Sequence, residues 1–311
     1  MVARQRIVWP AIILAAVLTA GGVNVEAKQR VAVPASYTVG NSIAMGSIFS
    51  TLAPILATPR SFDTLSFDLQ AVIASSGASV GVMLIELGGA APVTRSVNGS
   101  EVFTAASTYK LAALMLEAEY IAAGTKDPNG LVCFQDDDYE SGWFADYVAG
   151  TCYTRNELAL RAGVYSDNTA GHMLVRDVGG AATLNAWAAS VGATGSDFFD
   201  ANTTTPADLA TLWAAEAQGE LGGAAAQAWL YPVLTNTRTE AGVPAGVSGA
   251  KVVHKTGTID LVENDAALVA SGPAGPYVLV VMTDGLGGSD GWQLIATISA
   301  TVSRFEAARA Q

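Results

Sequence analysis

Apolar runs punctuated by glycine and proline stand near both ends of this 311-residue chain, and the stretch between them is helical in pattern. Near the start, Val80-Gly81-Val82-Met83-Leu84-Ile85 reads as a buried strand, and Gly88-Gly89 turns it into a second strand around Val93. A short helix is expected just before them, from Ser66. Towards the other end, residues 251–256, 266–270 and 277–283 are short apolar runs separated by turns. Between the two groups, Thr154-Arg155-Asn156-Glu157 has the form of a capping box opening a helix towards Ser166. Thr205-Pro206 sets a cap and an N1 proline before another helix, which Gly219 can stop. A last helix from about Ser289 turns Trp292, Ile295, Ile298 and Val302 inward. This order predicts an α+β fold. One antiparallel sheet is assembled from the N- and C-terminal segments, with an all-helical lobe inserted between them.

Half the residues are hydrophobic and 14% are charged, which excludes a disordered chain. A net charge of −12 argues against nucleic-acid binding and against attachment to anionic lipid. Arg4 and Arg6 precede an uncharged run over residues 7–25 that ends in small residues, the pattern of an export signal with cleavage after Ala27. The run also approaches the length of a membrane span, so residues 1–27 are read as a signal peptide or an N-terminal anchor. Residues 28–65, interrupted by Pro34, Pro54 and Pro59, read as a tether, and 66–311 as the folded domain. In an exported chain the two cysteines, Cys133 and Cys152, are expected to pair, for about 3 kcal/mol. The alternative is two unpaired thiols. They do not make a zinc site without supporting histidines. The acidic run from Asp136 to Glu140 reads as a solvated loop rather than a cation site.

Ser107-Thr108-Tyr109-Lys110 places a serine and a lysine one helical turn apart, so the amine can take the hydroxyl proton. Taken singly, Ser107 reads as a helix-start serine, Lys110 as a solvated lysine and Thr256 as a strand threonine. Two further motifs change that reading: Ser166-Asp167-Asn168, 59 residues after Ser107, and Lys255-Thr256-Gly257. In order and spacing the three resemble the serine β-lactamase and penicillin-binding protein superfamily, in particular class A β-lactamases. The resemblance extends from Ser66 to the end, and it implies the β-lactamase/transpeptidase-like fold. It also implies Ser107 as acylated nucleophile, Lys110 as its base or as the residue that orients the base, and Ser166 as proton shuttle to the leaving nitrogen. Asn168 would hold the substrate amide and Lys255 would supply positive potential, while Asp167 would brace its loop. Thr256 and Thr258 would bind the substrate carboxylate, and the N–H groups of Ser107 and Thr258 would form the oxyanion hole. Gly257 would keep the strand clear for ligand.

His172 and His254 read as packing and strand-flanking residues, so a Ser-His-Asp triad is not expected. The family's usual loop glutamate, which activates the deacylating water, is missing. The segment from Gly192 to Asp200 is short and offers only Asp197 and Asp200, whose reach is poor. Where many members carry an arginine after the third motif, this chain has Glu263-Asn264-Asp265. The reading is a serine hydrolase that opens β-lactams through an acyl-enzyme at Ser107, with slow deacylation. The alternatives are a penicillin-binding D,D-peptidase or esterase, and a β-lactam or peptidoglycan-fragment binding module. No cofactor or metal is implied; the partner is a small β-lactam or peptidoglycan-like molecule, and the chain is read as an exported monomer.

Overall fold

The computed structural model describes residues 62–89 and 91–310, all within the unit spanning Pro54–Gln311. The export segment, and the tether up to residue 61, lie outside the described residues. Helix α1 (Phe62–Ser76) begins four residues ahead of Ser66. Leu65 and Leu69 explain the earlier start, because both are buried against the sheet. Strands β1 (Ser79–Glu86), β2 (Thr94–Val97) and β3 (Phe103–Thr104) follow. Helix α2 (Tyr109–Ala122) is built from alanine, leucine and other good helix formers, and every residue from Tyr109 to Ala118 is buried. Buried on all sides over that stretch, it is the central helix of the lobe.

The mostly helical lobe contains a three-residue ladder, β4 (Leu131–Cys133) on β5 (Cys152–Thr154), in which Cys133 faces Cys152. Helix α3 (Arg155–Gly163) is capped by Thr154, whose hydroxyl accepts from the Glu157 N–H at 3.1 Å. The reciprocal half of the expected capping box is replaced, as the Glu157 carboxylate turns to Arg161 at 2.7 Å. Helices α4 (Asn168–Asp177) and α5 (Gly180–Val191) complete the near side. After β6 (Thr203–Thr204) comes α6 (Pro206–Ala217), capped by Thr205 as expected and followed by Gly219 at φ 80°. Helix α7 (Gly223–Leu230) and the single turn α8 (Val243–Gly246) lead back to the sheet.

Strands β7 (Val252–Ile259), β8 (Val262–Val269) and β9 (Tyr277–Asp284) are each eight residues long, and α9 (Gly288–Arg309) ends the chain. The sheet order is β2-β1-β9-β8-β7, antiparallel throughout, so the first strands join the last one. Side chains alternate faces along a strand. On β9, Val278, Val280 and Met282 face the helical lobe, while Tyr277, Leu279 and Val281 face α1 and α9. Burial on both faces is why this strand reads as a continuous apolar run. Among the described residues no helix is long and apolar enough to cross a membrane.

Candidate active site

The β3–β6 pairing holds the segment before α2 in place: the Ala105 N–H donates to Asn202 O at 2.8 Å. A single 3-10 turn, Ala106–Thr108, then enters α2, with Ala106 in the left-handed region at φ 49°. A left-handed alanine costs about 1–2 kcal/mol, and the turn is retained by the Thr108 hydroxyl on Ala105 O at 2.6 Å. Ser107 thereby sits one turn ahead of Lys110. Lys110 Nζ lies 2.9 Å from Ser107 Oγ, 2.7 Å from Ser166 O and 2.7 Å from Asn168 Oδ1. Lys255 Nζ donates to Ser166 Oγ at 2.9 Å and to Thr256 O at 2.7 Å. The three motifs converge on one network.

Lys110 and Lys255 are both buried. Burial lowers the Lys110 amine to about 7, against an upward pull from Asp167 and Glu140. Burial, then repulsion from Lys110, holds Lys255 well below the usual amine range, with Asp265 pulling upward. A neutral Lys110 keeps two N–H donors for Ser166 O and Asn168 Oδ1, and its lone pair is left for the Ser107 hydroxyl. That geometry suits proton abstraction.

Gly257 is glycine for a reason different from the expected one. A Cβ there would lie 2.8 Å from Ala105 O and 3.1 Å from Ser107 N. The strand is pressed against the turn that carries the serine, so protein backbone occupies the space. Asp167 is buried and accepts from the N–H groups of Trp143 at 2.9 Å and Ala170 at 2.9 Å, and from Tyr147 Oη at 2.7 Å. It fixes the loop, with Ser166 at φ 58°. Asn168 Nδ2 donates to Glu140 Oε1 and Ser141 O, at 2.9 and 3.1 Å. The Thr258 hydroxyl donates to Glu263 Oε2 at 2.6 Å, so Thr256 is the strand hydroxyl left to face a ligand.

Two cavities meet at Ser107, Asn168 and Thr258. The first, of ≈ 250 Å³, is also lined by Ser166, Thr256 and Arg238. The second, of ≈ 390 Å³, is walled by Tyr109, Glu140, His172, Phe199 and Asn202. Arg238 escapes sequence reasoning because it lies in the loop after Leu234, not on the strand where an arginine was sought. It stacks 5.2 Å over the Trp143 ring, and its only sequence signal is a lone cation among threonines. The loop before β6 presents Phe199, at φ 80°, to the second cavity. Neither Asp197 nor Asp200 lines either space.

His254 is buried in β7 between Asp265, 2.8 Å from Nδ1, and Glu240, 3.1 Å from Nε2. His172 packs edge-on against Phe199 at 4.9 Å and pairs with Glu140 at 2.9 Å. Cys133 and Cys152 are joined as a disulfide. In the acidic run, Asp136 and Asp137 are exposed as a solvated loop requires, but Asp138 is buried against Arg176 at 2.8 Å. Among the described residues no three acidic, histidine or cysteine side chains are grouped to hold a metal.

The sequence profile of the β-lactamase enzyme family matches residues 64–305. The chain is 31% identical over 235 residues to the carbapenem-hydrolyzing β-lactamase KPC of Klebsiella oxytoca, covering 67% of this chain and 76% of that protein. Its structure resembles that of PBP-A, with TM-score 0.72 and 28% identity over 78% of this chain and 95% of that one. The L158E mutant of PBP-A, determined as its acyl-enzyme complex with penicillin G, gives 0.71 and 29%, over 79% and 97%.

Proposed function

The chain belongs to the β-lactamase enzyme family, and on that premise we propose that it opens β-lactams through an acyl-enzyme at Ser107. The observation that carries the proposal is the network in which Lys110 meets Ser107 Oγ and the Ser166 carbonyl while Lys255 donates to the Ser166 hydroxyl, each contact within 2.9 Å. Lys110 takes the Ser107 proton as Oγ attacks the lactam carbonyl. The N–H groups of Ser107 and Thr258 stabilise the oxyanion. Ser166, polarised by Lys255, passes a proton to the departing nitrogen and the ring opens. Thr256 and Arg238 line the same cavity and suit a substrate carboxylate, Arg238 by charge and fork geometry. The acyl-enzyme trapped with penicillin G in the L158E mutant of PBP-A supports ester formation as the shared step.

Deacylation is slower than acylation in this reading, because the loop 192–202 turns Phe199 rather than a carboxylate to the cavity beside Ser107. The same feature, with the likeness to PBP-A, supports a second reading in which the acyl-enzyme persists, as in a penicillin-binding protein. A disulfide in the lobe is consistent with export by residues 1–27 into an oxidising compartment. The test is intact-protein mass spectrometry after addition of a penicillin, with Ser107→Ala alongside. An adduct on the wild-type chain alone, decaying as hydrolysed drug accumulates, is the expected result. A persistent adduct selects the second reading, and an equal signal from Ser107→Ala rejects the nucleophile.

A further inference from the structure

Resting on the acyl-enzyme reading, we infer that Glu140 is the general base that activates the deacylating water, held for that task by one face of α4. Glu140 lies in the loop after β4, yet four contacts from α4 fix it. The Thr169 hydroxyl accepts from the Glu140 N–H at 3.1 Å and donates to its carbonyl at 2.7 Å. Asn168 Nδ2 donates to carboxylate Oε1 at 2.9 Å, and His172 Nε2 meets Oε2 at 2.9 Å. Asn168 and His172 are four residues apart, hence neighbours on one helix face. An exposed carboxylate gains little stability from such pairing, so the arrangement is better understood as positioning.

The cavity supplies what a water requires. Glu140 and Ser107 line the same ≈ 390 Å³ space. A water in that space has the Glu140 carboxylate as its acceptor beside Ser107. Phe199 closes the wall and offers no competing base.

The step balances without any co-reactant but water. A water proton moves to the Glu140 carboxylate as the water oxygen bonds to the acyl carbon. The tetrahedral adduct collapses, the bond from that carbon to Ser107 Oγ breaks, and Oγ leaves with a proton from the Lys110 ammonium. Solvent then carries the Glu140 proton to the Ser166–Lys255 pair, which gave one to the ring nitrogen; Lys110 ends neutral, as it began, and the opened acid departs.

Glu140→Gln and wild type, each given benzylpenicillin and followed by intact mass, test this. The Ser107 adduct of Glu140→Gln is expected to form within about threefold of the wild-type rate and to decay about 10²–10⁴-fold more slowly. Hydroxylamine, which needs no base, should clear it. Equal decay in the two proteins overturns the inference, as does a wild-type adduct that never decays; acylation at Ser107 would still stand. A wild-type chain that gives neither adduct nor hydrolysed drug removes the acylation reading and the base with it, whereas hydrolysis without a wild-type adduct, beside an accumulating Glu140→Gln adduct, supports the assignment. Should Glu140→Gln fail to fold, Glu140→Asp keeps the charge and withdraws it. Decay slowed about tenfold or more then supports the assignment, and unchanged decay overturns it.

Discussion

Lys110 carries the sharpest consequence at the scale of a single residue. Its amine is lowered to about 7 by burial against the opposing pull of Asp167 and Glu140. Only the neutral amine can accept the Ser107 proton, so acylation should rise roughly tenfold per pH unit below 7 and level off above it. Rates of adduct formation between pH 5 and 9 check this, and a flat profile would remove Lys110 as base. Lys110→Arg, always protonated, should acylate about 10²–10⁴-fold more slowly at pH 8. The residues of this network were legible in the sequence because each motif is local: two helix positions one turn apart, a loop triplet and a strand triplet. Arg238 and Glu140 were not. Each reaches the site across space from a loop whose own sequence carries no spacing rule.

At the scale of the element, strand β7 does more than present Lys255. Its buried His254 lies between Asp265 and Glu240, and Glu240 in turn accepts the Thr237 N–H and hydroxyl. The loop that projects Arg238 into the cavity is thus tied to the strand by an imidazolium. Burial alone would lower that imidazole, but Asp265 and Glu240 raise it to about 9, from 6.5. A raised value means the tether is fully present below pH 6.5 and is lost as pH rises through 9. KM for a carboxylate-bearing β-lactam should therefore climb above pH 9, with kcat changed less, and Glu240→Gln should raise KM several-fold at pH 7. Steady-state kinetics from pH 7 to 10 decide it: a KM unaffected by either change would disconnect the tether from binding. Sequence reasoning set β8 too short, at residue 266, because Glu263, Asn264 and Asp265 look unlike strand. All three are buried in it with partners: Thr258, Thr104 O and His254.

For the molecule as a whole, the decisive contact is between the first and last strands of the described sheet. Strand β1 pairs along its full length with β9, so Val82 faces Val281 across almost two hundred residues. The alternating and continuous apolar runs made the sheet legible, since burial on one face or two dictates those patterns. The polar seal on this closure was not legible, because its members lie far apart in sequence. Arg309 of α9 donates to both Glu86 oxygens of β1, at 2.7 and 3.0 Å, and to Ala91 O at 2.7 Å. Glu306, one turn earlier and buried, is raised to about 8 by its burial and then by the Glu86 charge. Its folded value exceeds the 4.5 of an unfolded glutamate, so the native state holds a proton there that the unfolded state has lost. Stability from this group is complete below pH 4.5 and falls as pH rises through 8. Glu306→Gln keeps the shape and removes the titration. It should melt with wild type near pH 4, then pull ahead, by roughly 4–8 °C at pH 9 for a buried charge costing about 2 kcal/mol. Melting curves of both proteins across that range give the answer. A constant offset at every pH would mean that Glu306 contributes by packing, and that the closure of α9 on β1 is insensitive to its proton.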